Sequence, residues 1–122
     1  MTLKIETRVV DGVTIVECHG RVVFGEESRA LRDALKQVLA SNKNIVLNLS
    51  DVAYLDSGGL GSLVGVYSSA RAAGGDVKLT GIGQRLRDIL HVTKLVTVFE
   101  VYDSEEAAVA AFHGEKGRRD SR

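Results

Sequence analysis

The chain has 122 residues, which is typical of one domain, and 44% of them are hydrophobic, enough for a core without disulfide or metal cross-links. Sixteen basic and sixteen acidic residues cancel. No basic stripe with interleaved aromatic residues occurs, so we predict no nucleic-acid partner. The single cysteine, Cys18, cannot form an intramolecular disulfide, and its strand-like surroundings predict a buried free thiol in a reducing compartment.

The first ten residues, "MTLKIETRVV", alternate in character and carry charges, so they lack the apolar core of a secretory signal. No apolar run approaches the roughly 18 residues that a membrane-spanning helix needs. These features predict a soluble cytoplasmic protein with no membrane insertion.

The beginning of the chain has the pattern of a β-hairpin. Residues 3–10, "LKIETRVV", alternate apolar and polar side chains as a half-buried strand does. Asp11 and Gly12 are typical of a two-residue hairpin turn, and "VTIVECHG" (13–20) alternates again. We therefore predict that this second strand pairs antiparallel with the first, and that "RVVF" (21–24) adds a short strand or an extended link.

From Glu26 the apolar residues recur at helical spacing, and an acidic pair at the start is typical of a helix N-terminus. The run "IVLNLS" (45–50) is short and almost wholly apolar, which predicts a central strand covered on both faces. A second helix follows residues 54–61, and we predict that it ends at Gly74–Gly75.

The second half continues the alternation of strand and helix. "DVKLTG" (76–81) predicts another central strand, and "VTVFEVY" (96–102) predicts the last one. Four apolar residues at helical spacing predict a short helix between them: Ile82, Leu86, Ile89 and Leu90. Asp103, with Glu106 three residues later, resembles a capping box that starts an alanine-rich helix through Phe112.

The chain contains no proline and no internal repeat. Residues 114–122 carry no apolar side chain, so we predict a disordered polar tail after a single domain over residues 1–113. A hairpin followed by alternating helices and strands predicts an α/β fold, with a mixed β-sheet flanked by helices.

The stretch "YLDSGGLG" (54–61) allows three interpretations, of which the first is a serine nucleophile. "DSGG" occurs around the catalytic serine of trypsin-like proteases, but that class needs two barrels, a longer chain, and a histidine and an aspartate placed to serve the serine. The hydrolase elbow Gly-x-Ser-x-Gly also fails, because Leu55 lies two residues before Ser57. The sequence therefore disfavours a hydrolase, and we predict no catalytic residue.

The second interpretation is a glycine-rich phosphate cradle, because the glycines follow a strand and open a helix. After Gly61 the next glycine is Gly65, one residue late for the dinucleotide motif, and no Lys-Ser or Lys-Thr pair follows. The simpler role of these glycines is to let the helix lie close to the sheet and to relieve a tight turn. We therefore predict no nucleotide cofactor.

The third interpretation makes Ser57 a phosphoacceptor, in a turn that we expect to be exposed. Either Ser57 or Asp56 can cap the following helix. A phosphate would add about −1.5 to −2 charge, which a helix N-terminus tolerates, and Asp56 would make the surface still more negative. Phosphorylation would then change what docks at this turn without unfolding the domain.

Residues 3–112 resemble the STAS domain of bacterial anti-sigma factor antagonists. The most specific part is "DSGGLG" (56–61), which fits the pattern Asp-Ser-x-Gly-Leu-Gly. "IVLNLSDV" precedes it, and "GIGQRLRDIL" and "LVTVF" follow, in the order that the family shows. The resemblance implies one STAS-like domain with a regulatory function.

In this family, the unphosphorylated antagonist binds an anti-sigma factor that is also an ATP-dependent serine kinase, and the sigma factor is released. The kinase phosphorylates the serine after the motif's aspartate, and a metal-dependent serine phosphatase restores it. The resemblance implies that Ser57 is the acceptor and that six residues bind the partner: Asp56, Ser57, Gly58, Gly59, Leu60 and Gly61. The chain itself is then not an enzyme and holds no cofactor or metal, because the ATP belongs to the kinase.

Gly58 departs from the family pattern, which often has Ser or Thr there. Ser57 is therefore the only hydroxyl in the turn, and the next one, Ser62, falls inside the helix. Some STAS domains are not phosphorylated. The alternative is thus a non-phosphorylated accessory subunit of a bacterial lipid-transport ATPase complex.

Overall fold

Five strands form one mixed sheet in which the strand order follows the chain. The computed structural model describes residues 3–22 and 25–120, without the side chains of residues 22 and 115–120. The first pair of strands is antiparallel and the other three pairs are parallel. The predicted α/β fold with a mixed sheet is confirmed. The strands are β1 Leu3–Val10, β2 Val13–Val22, β3 Asn44–Leu55, β4 Asp76–Thr80 and β5 Val101–Tyr102.

The turn between β1 and β2 sets the register at this edge of the sheet. Asp11 and Gly12 have positive φ angles of 52° and 81°, as a two-residue type I′ turn requires. Val10 therefore pairs with Val13, and the pairing continues without a break along β1. Each residue of β1 has one fixed neighbour in β2, which confirms the predicted hairpin.

Helices cover both faces of the sheet and form two hydrophobic clusters. The larger cluster joins one face to α1 (Glu26–Ser41), α2 (Ser57–Ala72) and α3 (Gln84–Val92). The smaller cluster joins the other face to α4 (Glu105–Asp120). Ile45, Leu47 and Leu49 of β3 lie in the larger cluster and Val46 lies in the smaller one, so the start of β3 is covered on both faces, as its apolar run predicts. Ser50, the last residue of that run, is exposed.

Cys18 lies in the larger cluster and is 1% exposed. Burial raises the pKa of its thiol to about 12, so the reactive thiolate is scarce at neutral pH. The prediction of a buried free thiol is confirmed.

The segment 96–102 is not a continuous strand, so that prediction is wrong over residues 96–100 and holds only for 101–102. Leu95–Thr97 forms a short 3-10 helix, and β5 contains only two residues. Between them, Phe99 is 2% exposed, and its ring meets the ring of Tyr67 in α2 edge-on, with 5.2 Å between the centroids. The chain therefore joins the sheet edge only after Phe99, whose ring packs against α2.

The start of α4 also differs from the sequence pattern. The backbone N–H of Ala107 donates to Ser104 Oγ at 3.0 Å, so Ser104 caps the helix. The capping box predicted at Asp103 and Glu106 is therefore wrong by one residue. Adjacent residues with equivalent capping oxygens explain the error, because the helical pattern does not distinguish them.

Two predictions fall partly outside the described residues. In "RVVF" (21–24), the first two residues extend β2, and residues 23–24 lie outside the description. The helix α4 continues beyond Phe112, where the sequence pattern ends it, to Asp120. It thus enters the segment 114–122, whose last two residues lie outside the description, and the domain boundary stays a prediction.

Lys78 is fully buried at the side of the sheet that α4 covers. Its Nζ lies 3.1 Å from Asp76 Oδ2 and 2.6 Å from Glu100 Oε1. It also lies over the rings of Phe112 and Tyr102, 4.7 Å and 5.8 Å from their centroids. The hydrogen bond from Lys78 is the main cause that lowers the pKa of Glu100. These partners offset the cost of removing an ammonium from water.

Candidate functional site

Asp56 connects β3 to α2 and is the N-cap of the helix. Its carboxylate accepts the Gly59 N–H at 3.0 Å, and its carbonyl accepts the Leu60 N–H at 2.9 Å. One residue therefore satisfies two backbone donors at the helix start. From the sequence, either Asp56 or Ser57 could cap α2. In the structure the N-cap is Asp56.

Ser57 is the first residue of α2, and its side chain is exposed. Within residues 3–22 and 25–120, no group hydrogen-bonds to the Ser57 hydroxyl. The hydroxyl lies at a helix N-terminus, where the partial positive charge of the backbone favours an anion. The Ser57 hydroxyl thus has a defined position at the helix start, and no hydrogen bond of the described fold depends on it.

The six residues named from the sequence lie together in one turn but differ in exposure. Ser57 and Gly61 are exposed, Asp56 and Gly58 are half-buried, and Gly59 and Leu60 are buried. Leu60 packs in the larger hydrophobic cluster. The buried pair therefore shapes the turn from inside, and the other four residues form its surface.

Gly61 and Gly65 lie on the exposed face of α2, in line with Ser57 at intervals of four residues. A Cβ at either glycine would meet nothing within 4 Å. Packing inside the described domain therefore does not require these two glycines, which corrects the expectation that they let the helix approach the sheet. Their effect is to leave the backbone of this helix face uncovered.

Ser62 is buried and joins α2 to α1. Its Oγ lies 3.2 Å from the carbonyl oxygens of both Ser28 and Gly58, and Arg32 donates to it at 3.5 Å. A second protein cannot reach this hydroxyl without opening the helix pair. Ser57 is therefore the accessible hydroxyl at the start of α2.

A cleft of about 410 Å³ lies beside Ser57, and Arg85 and Ile89 of α3 form its other side. The Arg85 guanidinium lies over the ring of Tyr54, 5.1 Å from the centroid. No carboxylate in the part of the chain that the structure describes lies within ion-pairing distance of Arg85. The cleft thus has the guanidinium of Arg85 on one side and the Ser57 hydroxyl, the candidate acceptor, on the other.

Arg85 is a residue of this site that the sequence pattern did not predict. The signal for it lies in the topology, because Ser57 follows β3 and Arg85 follows β4. These two strands are parallel neighbours, and the connections after such strands meet at the same edge of a sheet.

A second polar group lies on the β1–β2 hairpin, where Glu6 and Glu17 are directly paired and His19 lies beside them. The hydrogen bond between His19 and Asp51 is the main cause that raises the pKa of His19. The sequence analysis named no metal ligand. The turn at residues 11–12 already places residue 6 opposite residue 17, so the hairpin register was the signal that could have revealed this group.

Arg8 connects the hairpin to α4. Its guanidinium bonds to Glu105 and also to Glu17, the latter at 3.0 Å, and these two bonds, that to Glu105 first, raise the pKa of Arg8. Burial acts to raise the pKa of Glu105, but the hydrogen bonds from Asn48 and Arg8 outweigh it, so the pKa is lowered. This link holds the start of α4 against the edge of the sheet.

Comparison with known proteins identifies the class of the domain. The STAS domain family matches residues 4–108. The anti-sigma F factor antagonist of Paenibacillus polymyxa is 27% identical over 111 residues, which cover 89% of this chain and 94% of the relative. The anti-sigma-B factor antagonist of Bacillus subtilis is 30% identical over 79 residues, covering 65% and 72%.

A solved structure gives the same result. The crystal structure of an anti-sigma factor antagonist from Mycobacterium paratuberculosis has a TM-score of 0.77 and 28% identity, and covers 90% of this chain and 93% of that one. The chain therefore belongs to the STAS domain family. No helix within the described ranges is long and apolar enough to cross a membrane.

Proposed function

We propose that this protein is an anti-sigma factor antagonist that binds its anti-sigma factor through the turn 56–61 and the exposed face of α2. Relatives named as antagonists match this chain over about nine tenths of its length and about nine tenths of their own. This extent of similarity favours an antagonist over the accessory subunit of a lipid-transport complex. The similarity to named antagonists supports this function, and the geometry of the turn supports the switch that would control it.

The proposed switch depends on the different roles of two adjacent residues: Asp56 caps the helix, and Ser57 is exposed. Asp56 caps α2, so the exposed Ser57 hydroxyl reacts without loss of a hydrogen bond that supports the fold. We infer that an anti-sigma factor serine kinase phosphorylates Ser57 with its own ATP, and that a serine phosphatase reverses the reaction. The chain supplies the acceptor and a docking surface.

The bare face of α2 is suited to a partner that approaches closely. Gly61 and Gly65 continue the surface from Ser57, and neither has a neighbour within 4 Å of its would-be Cβ. A backbone without side chains lets a partner come nearer than any other residue type permits. A phosphate on Ser57 would lie at one end of this helix face and would sterically hinder the close approach of the partner.

Charge adds to this steric effect. A phosphate brings about −1.5 to −2 charge. Arg85 lines the same cleft and gives the phosphate a cation for charge-assisted hydrogen bonds. Asp56 keeps the surroundings acidic, so the surface presented to the partner changes from a neutral hydroxyl to a local anion.

The test is a pair of substitutions at Ser57 with a matched control. The partner is first captured from source cells on the wild-type chain, and its affinity is then measured by calorimetry. We expect Ser57→Ala to bind as the wild type does, and Ser57→Asp to bind at least about tenfold more weakly, because the carboxylate places charge on the docking face. Ser41→Asp, at an exposed position at the end of α1 and outside the docking face of α2, should bind normally.

Equal affinity of Ser57→Ala and Ser57→Asp for the captured partner would reject this docking surface. The acceptor is tested separately by intact mass after incubation with the captured kinase and ATP. We expect the wild-type chain to gain one phosphoryl group and Ser57→Ala to gain none. An unmodified wild-type chain under conditions in which the kinase is active would reject Ser57 as the acceptor.

A further inference from the structure

The geometry points to a divalent transition-metal site on the exposed face of the β1–β2 hairpin, which we propose binds Zn²⁺ through Glu6, Glu17 and His19. One donor atom of each residue lies within 4.8 Å of the other two. His19 Nε2 is 3.2 Å from Glu6 Oε1 and 3.7 Å from Glu17 Oε1. Donors bound tetrahedrally at about 2.0–2.2 Å from zinc lie roughly 3.4 Å apart, so these spacings fit an ion between the three atoms.

Asp51 determines which nitrogen of His19 faces the glutamates. Its carboxylate lies 2.6 Å from His19 Nδ1, and a carboxylate accepts, so Nδ1 carries a hydrogen. His19 Nε2 lies 3.2 Å from Glu6 Oε1, so in the metal-free chain it carries a hydrogen toward that carboxylate. Zn²⁺ would displace this proton to solvent, and the Nε2 lone pair would then face the ion together with the two glutamate oxygens. Metal-binding histidines almost always donate their other ring nitrogen to a carboxylate, a carbonyl or a water in this way.

The two glutamates are also held from outside the donor set. Arg8 bonds to Glu17 Oε2 at 3.0 Å, and Lys4 lies 3.5 Å from Glu6 Oε2. Each carboxylate therefore turns its outer oxygen to a cation and its Oε1 toward His19. All three donor atoms thus have an oriented position and an outer partner, which distinguishes the group from a set of loose surface acids.

The hairpin pairing gives a reason why a cation would be stabilising here. Glu6 lies directly opposite Glu17, and like charges at opposed positions destabilise a strand pair. The basic residues Lys4 and Arg8 neutralise only the outer side of the pair. A cation on the inner side would bind two carboxylates and the imidazole together.

The donor set also indicates which ions fit. Imidazole nitrogen suits zinc and neighbouring transition metals, whereas Mg²⁺ and Ca²⁺ prefer sites built wholly from oxygen. Three protein donors on a half-exposed surface leave one position for water in a tetrahedral site. We therefore expect the full chain to bind one Zn²⁺ and to discriminate against Mg²⁺.

The experiment is calorimetric titration of the full chain at neutral pH with Zn²⁺, and in parallel with Mg²⁺. We expect one Zn²⁺ per chain and no heat from Mg²⁺. Asp51→Ala should weaken Zn²⁺ binding by about tenfold or more, since loss of an outer partner has this effect, and His19→Gln should weaken it further. His91→Gln, at an exposed histidine of α3, is the matched control and should leave the affinity unchanged.

Two results would overturn the proposal. Absence of Zn²⁺ binding up to millimolar concentration would show that a proton alone joins His19 to the glutamates. Equal affinities of wild type and His19→Gln would place the ion elsewhere. Circular dichroism verifies that each variant is folded, and nitrogen NMR should show that Zn²⁺ shifts the Nε2 resonance of His19 and leaves the His91 ring unaffected.

Discussion

Two ionic groups on the same face of the sheet differ in their surroundings, because α4 covers one and leaves the other open. Lys78 has no exposed surface and is enclosed by two carboxylates and two aromatic rings. His19 also lies among carboxylates, but the side chain of its partner Asp51 is 72% exposed. Where the helix excludes water, removal of one charged partner leaves the other without compensation. Where water enters, the contacts stabilise little and stay available to a ligand.

Substitution of Lys78 is expected to have the largest effect and tests whether the covered ionic group stabilises the fold. Lys78→Ala leaves Asp76 without its ammonium partner in a buried position, so we expect the free energy of unfolding to fall by about 3 kcal/mol or more. Urea denaturation, followed by circular dichroism, measures the change.

His19→Gln is the matched substitution on the open side of the same face. We expect no measurable shift in its urea midpoint, because exposed ion pairs contribute little to stability. A loss as large as that of Lys78→Ala would mean that burial does not separate the two groups.

The adjacent residues Asp56 and Ser57 give a similar contrast with a smaller expected effect, because only Asp56 makes a hydrogen bond that supports the fold. Asp56→Ala removes the cap of α2, and we expect a loss of about 1 kcal/mol in the free energy of unfolding. Ser57→Ala removes an exposed hydroxyl that bonds to no described residue, so its unfolding curve should match that of the wild type. A larger loss for Ser57→Ala than for Asp56→Ala would reverse the assigned roles.

The smallest effect that we expect to be measurable is a change in the pH dependence of stability at Glu100. Lys78 lowers the pKa of this carboxyl in the folded chain, so the folded state favours the ionised form. The stabilisation is present above the ordinary value of 4.5 and is lost as the pH falls toward the lower folded value. The effect is small because half of the Glu100 side chain is exposed, 51%.

The check is the slope of unfolding free energy against pH in the acid range. We expect Glu100→Gln to give a shallower slope than the wild type. Asp33→Asn, at an exposed carboxylate of α1, should reproduce the wild-type slope. If Glu100→Gln also reproduces it, the Lys78 bond does not contribute to acid sensitivity.

The sequence predicts those parts of this molecule that local chemistry decides. Asp11 and Gly12 specify their turn by themselves, and the alternation in β1 then specifies the hairpin. The phosphoacceptor turn is also a local pattern, although its role stays a prediction. Two neighbouring residues could cap α2, and only the hydrogen bond to Gly59 separates them.

The missed features depend on residues that are distant in the chain. Phe99 leaves the strand pattern because Tyr67, on another element, receives its ring. Arg85 joins the candidate site because β3 and β4 are neighbours in space. Neither relation is visible in the periodicity of a single segment.

The cap at Asp56 has a consequence for timing. Because Asp56 holds the start of α2, the two states of the proposed switch differ in charge and share one fold. No slow refolding step of this chain separates them. In the proposed switch, the signal would then last as long as the phosphate on Ser57, and the enzymes that add and remove this phosphate would set its duration.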